Sequence, residues 1–134
     1  MSMLLSEATP TALIVDDNFY NRDIFKIALE NAGYHVKEAP TGAEGLSILK
    51  KEVFHLLVLD LHMPDVDGRD ILHSIRDVYP MHKEMRTIVV TANAHMATDE
   101  IEDAVDYIMY KPIDVLEFSR FVRRLKSSQK TESS

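Results

Sequence analysis

With 134 residues and 46% hydrophobic content, the chain is sized for one domain with a core of its own. The absence of cysteine excludes disulfides and thiol chemistry and fits a cytoplasmic setting. The net charge of −7 disfavours nucleic-acid binding by the domain as a whole and suits cationic partners or a divalent metal better; no apolar run approaches the roughly 18 residues of a membrane span, and MSMLLSEATP lacks the pattern of a secretion signal.

Residues 1–10 read as a mobile N-terminal segment ending in Pro10. TALIVDD then reads as a buried strand ending at Asp16 and Asp17, followed by a helix from about Asn18 to Asn31 that Gly33 closes. YHVKEA is a second strand. Thr41 precedes Glu44 by three positions, the spacing of a capping box, and opens a helix expected to bury Leu46, Leu49 and Val53. LLVLD, Leu56 to Asp60, is a third strand, apolar on both faces, that delivers Asp60 to its carboxyl end; Pro64 and Asp67-Gly68 turn the chain sharply after it. Ile71, Leu72, Ile75, Val78 and Tyr79 stripe the next helix, and RTIVVT is a fourth strand ending at Thr91. A short acidic helix is expected around Ala97 to Ala104. DYIMYKP is a fifth strand ending at Lys111, and Val115, Phe118, Phe121, Val122 and Leu125 stripe a last helix before a polar tail over 127–134.

Five strands alternating with helices predict a parallel sheet covered on both faces, and in such sheets ligands bind beyond the carboxyl ends of the strands. The chemistry-bearing residues lie at those ends. Asp16, Asp17 and Asp60 form a hard, all-oxygen donor set suited to Mg²⁺, while Lys111 and Thr91 supply an ammonium and a hydroxyl. Together they can cage a phosphoryl group. Taken singly, each has an ordinary structural reading: Asp17 can cap a helix, Thr91 can end a strand and Lys111 can be an exposed lysine. His73, His82 and His95 read as surface residues, and the methionines as core filler and loop residues.

Four motifs, VDD at 15–17, LDLHMPDVDG at 59–68, VVTANA at 89–94 and YKP at 110–112, occur in order at the strand ends. Over residues 11–126 the chain thereby resembles the receiver domain of two-component response regulators, in a stand-alone form like the chemotaxis regulator. The resemblance implies a flavodoxin-like, doubly wound five-stranded parallel sheet of order 2-1-3-4-5 with five helices. It implies Asp60 as the phosphoacceptor, served by a sensor histidine kinase or a histidine phosphotransfer protein. It further implies Mg²⁺, with Mn²⁺ as an alternative, on Asp16, Asp17, Asp60 and the backbone carbonyl of His62. Thr91, Ala92 and Lys111 would hold the phosphate and work the switch. His62 and Asn93, each two positions after a site residue, are expected at the entrance, tuning the phosphate lifetime. The Lys111-Pro112 bond is a candidate cis peptide.

The chain departs from the family at the aromatic usually found three residues before the lysine, where it has Ile108. A bulge between Tyr107 and Lys111 would return Tyr107 to the switch position; a regular strand would leave a switch without an aromatic. The stretch from Thr91 to Lys111 is slightly short, so a trimmed or partly melted fourth helix is expected. The fourth-helix region carries Asp99, Glu100, Glu102, Asp103 and Asp106 and the last helix Arg120, Arg123, Arg124 and Lys126; these read first as two solvated faces, and alternatively as complementary surfaces for a phosphorylation-favoured homodimer through the fourth helix, fifth strand and fifth helix. The function expected is a phosphorylation-dependent signalling switch acting on an unnamed downstream protein, not an enzyme beyond its own phosphorylation and autodephosphorylation. The alternatives are a phosphorylation-independent interaction module and a receiver cut from a hybrid kinase. A haloacid-dehalogenase-type phosphatase would want an acid where His62 stands.

Overall fold

The computed structural model describes the backbone of residues 9–78 and 80–133 and the side chains of 9–76 and 81–126. Its elements alternate as β1 (Thr11–Val15), α1 (Phe19–Asn31), β2 (His35–Ala39), α2 (Gly42–Leu49), β3 (Leu56–Asp60), α3 (Gly68–His73), β4 (Arg86–Thr91), α4 (Asp99–Ala104), β5 (Tyr107–Tyr110) and α5 (Val115–Ser133). The strands form one five-stranded sheet in the order β2-β1-β3-β4-β5, and every pair is parallel. This is the doubly wound arrangement expected from the sequence.

Period-two alternation divides the strand residues between two cores. On one face Leu13, Val15, Leu57, Leu59 and Val89 pack with Leu49, Ile71 and Ile101 of α2, α3 and α4. On the other, Ala12, Ile14, Val58, Ile88 and Val90 pack with Phe25 and Leu29 of α1 and Phe118 and Val122 of α5. The Phe25 and Phe118 rings lie 5.0 Å apart. Each ring, fully buried, contributes about 2–3 kcal/mol of apolar transfer. The central strand β3 is buried along its whole length, which accounts for its unbroken apolar run.

Local chemistry sets the helix ends. Asn18 caps α1 by accepting from the Asn21 amide (3.0 Å), and Thr41 caps α2 by accepting from the Glu44 amide (3.1 Å). Gly33, at φ +100°, takes the left-handed turn that leads into β2.

Several elements differ from expectation. β1 ends at Val15, so Asp16 and Asp17 stand beyond it. α2 stops at Leu49, which leaves Val53 half-buried in the connection. α3 is regular only to His73 and continues as a π-type turn over Ser74–Val78 and a 3₁₀ turn over Pro80–His82. The Val78 side chain and Tyr79 fall outside the described residues, as do residues 1–8. His82, expected at the surface, is buried, and its Nε2 hydrogen-bonds the Leu49 carbonyl at 2.6 Å. That bond ties the α3–β4 connection to the end of α2. His73 and His95 are exposed as expected.

The fourth helix is trimmed to six residues, preceded by a 3₁₀ turn over Ala94–Met96. Val115 is 45% exposed and stands outside the core stripe of α5. The backbone of α5 stays helical through Ser133, although the apolar stripe ends near Leu125. Extending an existing helix through a run without Gly or Pro costs little per residue.

Candidate functional site

The site lies where β1, β3, β4 and β5 end. Asp16 follows β1, with its amide on the Ala39 carbonyl (3.2 Å) and its Oδ1 accepting from the Asn18 amide (2.8 Å). Asp60 is the last residue of β3; it is 4% exposed, and its Oδ1 accepts from the His62 amide (3.0 Å). Lys111 extends β5, its amide bonded to the Thr91 carbonyl at 2.8 Å, and its bond to Pro112 is cis, as anticipated. The Lys111 Nζ then sits 3.3 Å from Asp60 Oδ2 and 3.6 Å from Asp16 Oδ2.

Carboxylate oxygens of Asp16, Asp17 and Asp60 lie within 4.8 Å of one another. Three negative charges against one ammonium leave an excess of two, the charge of one divalent cation. Asp16 Oδ2 is buried and has no hydrogen-bond partner. Burial pushes the Asp16 carboxyl above its ordinary value and the Asp60 and Asp17 charges add to this, against the Asn18 amide and Lys111. A buried oxygen without a hydrogen bond, in an all-oxygen set, fits a hard ion such as Mg²⁺.

Thr91 ends β4, fully buried. Its hydroxyl accepts from the Asn93 amide (3.1 Å) and faces the Asn93 carbonyl (3.2 Å) and the Met96 Sδ (3.9 Å). Ala92, Asn93 and His62 are exposed. His62 lines a shallow cavity of about 170 Å³ with Met63, Pro64 and Met96, while the Asn93 Oδ1 accepts from the His95 amide at 2.9 Å.

The two switch positions are placed apart. β5 pairs with β4 in unbroken register from Tyr107 to Tyr110, so the strand has no bulge. Ile108 packs against the core on the α4 side, while Tyr107 packs on the α5 side, edge-to-face with Phe121 at 4.7 Å. Tyr107 is thereby kept from the face Ile108 occupies.

Some supporting residues were not singled out from sequence. Arg22, in the first turns of α1, donates from Nη1 to the Asp16 carbonyl (2.8 Å) and pairs through Nε with Glu38 (3.3 Å), fixing the backbone on which the acidic pair is mounted. Asp65 accepts from the Gly42 and Ala43 amides (3.0 and 2.9 Å), tying the β3–α3 loop to the start of α2. Gly68 lets α3 begin against Leu61, because a β-carbon there would stand 2.9 Å from the Leu61 Cα. The sequence signals for these were an arginine six positions after Asp16 and an Asp-Gly turn.

Known proteins resemble this chain in sequence and in fold. The chain is 33% identical over 114 residues to an uncharacterized 14.6 kDa protein of the sodA1 3′ region in Leptolyngbya boryana, covering 84% of this chain and 86% of that one. It spans only 9% and 23% of two longer relatives, a hybrid histidine kinase and a transcriptional regulator. A CheY-like response regulator receiver domain from Methanospirillum hungatei superposes with a TM-score of 0.77 at 28% identity, over 93% of this chain and 99% of that one. The response regulator TrrA from Thermotoga maritima, solved with Mg²⁺ and BeF, superposes with a TM-score of 0.75 at 28% identity, over 87% and 98%. No helix among the described residues is long and apolar enough to cross a membrane. Residues 12–123 match the family described as the response regulator receiver domain, and the chain belongs to that family.

Proposed function

We propose that Asp60 accepts a phosphoryl group from a phosphohistidine on a sensor kinase or phosphotransfer protein, and that the chain signals in the cytoplasm through altered partner binding. The observation that carries this reading is the convergence of Asp60, Asp16 and Asp17 within 4.8 Å, with the Lys111 ammonium between two of them. An Asp60 carboxylate oxygen would attack phosphorus as the histidine N–P bond breaks, leaving the imidazole on the donor. Lys111, which already faces Asp60 Oδ2, would follow the incoming charge, and the Thr91 hydroxyl would turn to a phosphoryl oxygen. Asp16, Asp17, Asp60 and the His62 carbonyl would hold Mg²⁺, or Mn²⁺, which offsets the charge of the transferring group. His62 at the cavity rim and Asn93 at the exposed loop suit a part in admitting water to the acyl phosphate.

The exposed acids of α4 and the exposed arginines of α5 support a homodimer favoured by phosphate, read out by sedimentation with and without it. Asp106 stands apart from that set, because its carboxylate accepts from the Thr87 amide at 2.7 Å.

The test is intact mass after incubation with a small phosphodonor and Mg²⁺. A gain of one phosphoryl group that disappears in Asp60→Asn and with a chelator supports the reading. No gain in the wild-type chain favours the phosphorylation-independent module.

A further inference from the structure

We propose that Met96 is the positioning residue of the threonine switch: it holds the Thr91 hydroxyl on the β4–α4 loop before phosphorylation and passes its rotation on to α4. This rests on the phosphoacceptor reading above. Two of the groups around the hydroxyl are backbone atoms of Asn93, which any sequence supplies at that position. The third, the Met96 thioether at 3.9 Å, is the side-chain contact. A thioether is a weak acceptor, so it biases the hydroxyl without trapping it.

The surroundings of Met96 suit a moving part. The side chain is half-buried and packs against the core cluster that contains Ile101, as do Val105 and Ile108. It also lines the cavity of about 170 Å³ between the β3–α3 loop and its own turn, so it borders open volume. An unbranched side chain with three rotatable bonds can use that space. Ile101 is the one buried residue of the six-residue α4. A helix anchored at a single point shifts when the packing beside that point changes.

The other relay is missing from this face. Ile108 stands where an aromatic would answer the threonine, and Tyr107 is engaged with Phe121 on the opposite side of the sheet. Met96 touches both Thr91 and the cluster holding the α4 anchor. When the hydroxyl turns towards a phosphoryl oxygen, Met96 loses that contact, repacks towards the cavity and loosens the seat of Ile101.

The experiment uses the full chain with ¹³C-labelled methionine methyls and ¹⁵N-labelled backbone amides, the Met96 signal being assigned through Met96→Leu. Mg²⁺ and beryllofluoride are added as the phosphoryl mimic. The Met96 signal should move while that of Met85, buried ahead of β4, stays in place. In Thr91→Ala the Met96 signal should already be displaced and should no longer respond. Met96→Leu, which keeps volume but lacks the sulfur, should take up phosphate about two- to three-fold faster, the range set by a weak hydrogen bond. An unmoved Met96 signal alongside shifted Asp60 and Ala92 amides overturns the proposal, as does an unchanged or slower rate in Met96→Leu. If those amides do not shift either, the site has not loaded, and the phosphoacceptor reading falls together with this one.

Discussion

Replacing Asp16 by Asn should make the metal-free chain more stable while removing its response to Mg²⁺. The wild-type carboxylate is buried, and one oxygen has no hydrogen-bond partner. At the 4.8 Å separation that bounds the acidic cluster, two unit charges repel by about 3.5 kcal/mol at an effective dielectric of about 20. The Lys111 ammonium, 3.6 Å from Asp16 Oδ2, attracts by about 4.6 kcal/mol on the same scale. The Asp60 repulsion and the Lys111 attraction therefore nearly cancel, the exposed Asp17 adds a screened repulsion, and the cost of burying the carboxylate tips the balance. Asparagine keeps the acceptor for the Asn18 amide and leaves Lys111 its 3.3 Å contact with Asp60. Allowing for the polar amide that stays buried, the net gain should be about 1–2 kcal/mol. The assay is urea unfolding at pH 7 in a chelator, with a shared slope for the two chains. Adding Mg²⁺ to tenfold above its Kd should then stabilise the wild type by about 1.4 kcal/mol and the variant hardly at all. A variant less stable than wild type in chelator, or one with an equal Mg²⁺ gain, refutes the reasoning.

Asp65→Ala should lower the thermal midpoint at neutral pH, because the Ala43 and Gly42 amides that Asp65 accepts from hold its carboxyl below the ordinary 3.8. A depressed carboxyl stabilises the fold above its unfolded value and loses that contribution as pH falls through its folded value. The gap from wild type should therefore close as pH drops below 3.8, and a gap that persists unchanged in acid contradicts the assignment. Tyr107→Leu should cost about 0.5–1.5 kcal/mol in urea, the worth of its edge-to-face contact with Phe121, and leave phosphoryl uptake by intact mass unchanged. Lost uptake would show that Tyr107 acts on the site.

Much of the molecule was legible before folding, because its signals are local. The span of β3 follows from five consecutive apolar or terminal residues, and the start of α2 from Thr41 and Glu44 in capping spacing. Asp16, Asp17, Asp60, Thr91 and Lys111 stood out because each is a chemistry-bearing residue at the end of an apolar run, and a parallel sheet gathers such ends on one edge. The parity of Tyr107 and Ile108 was readable too, with the outcome hanging on a bulge that a regular strand then excluded.

Other features depended on neighbours far along the chain. Nothing near His82 announces that a carbonyl 33 residues earlier will receive its ring nitrogen, so a lone histidine in a polar stretch reads as surface. Arg22 on the Asp16 carbonyl, Asp65 across the start of α2 and Met96 against Thr91 are contacts made by loops or helix turns, whose side-chain directions follow from how the elements pack. Val53 and Val115 left their expected stripes for a related reason: hydrophobic periodicity reports which residues could share a face, and the end of the helix or its seat on the sheet decides which of them do. The sequence by itself determined the five strands and the chemistry-bearing residues at or just beyond their carboxyl ends. The tertiary structure decided their distances, their partners and the side chain set against the switch, because those depend on close packing between segments that are remote in sequence.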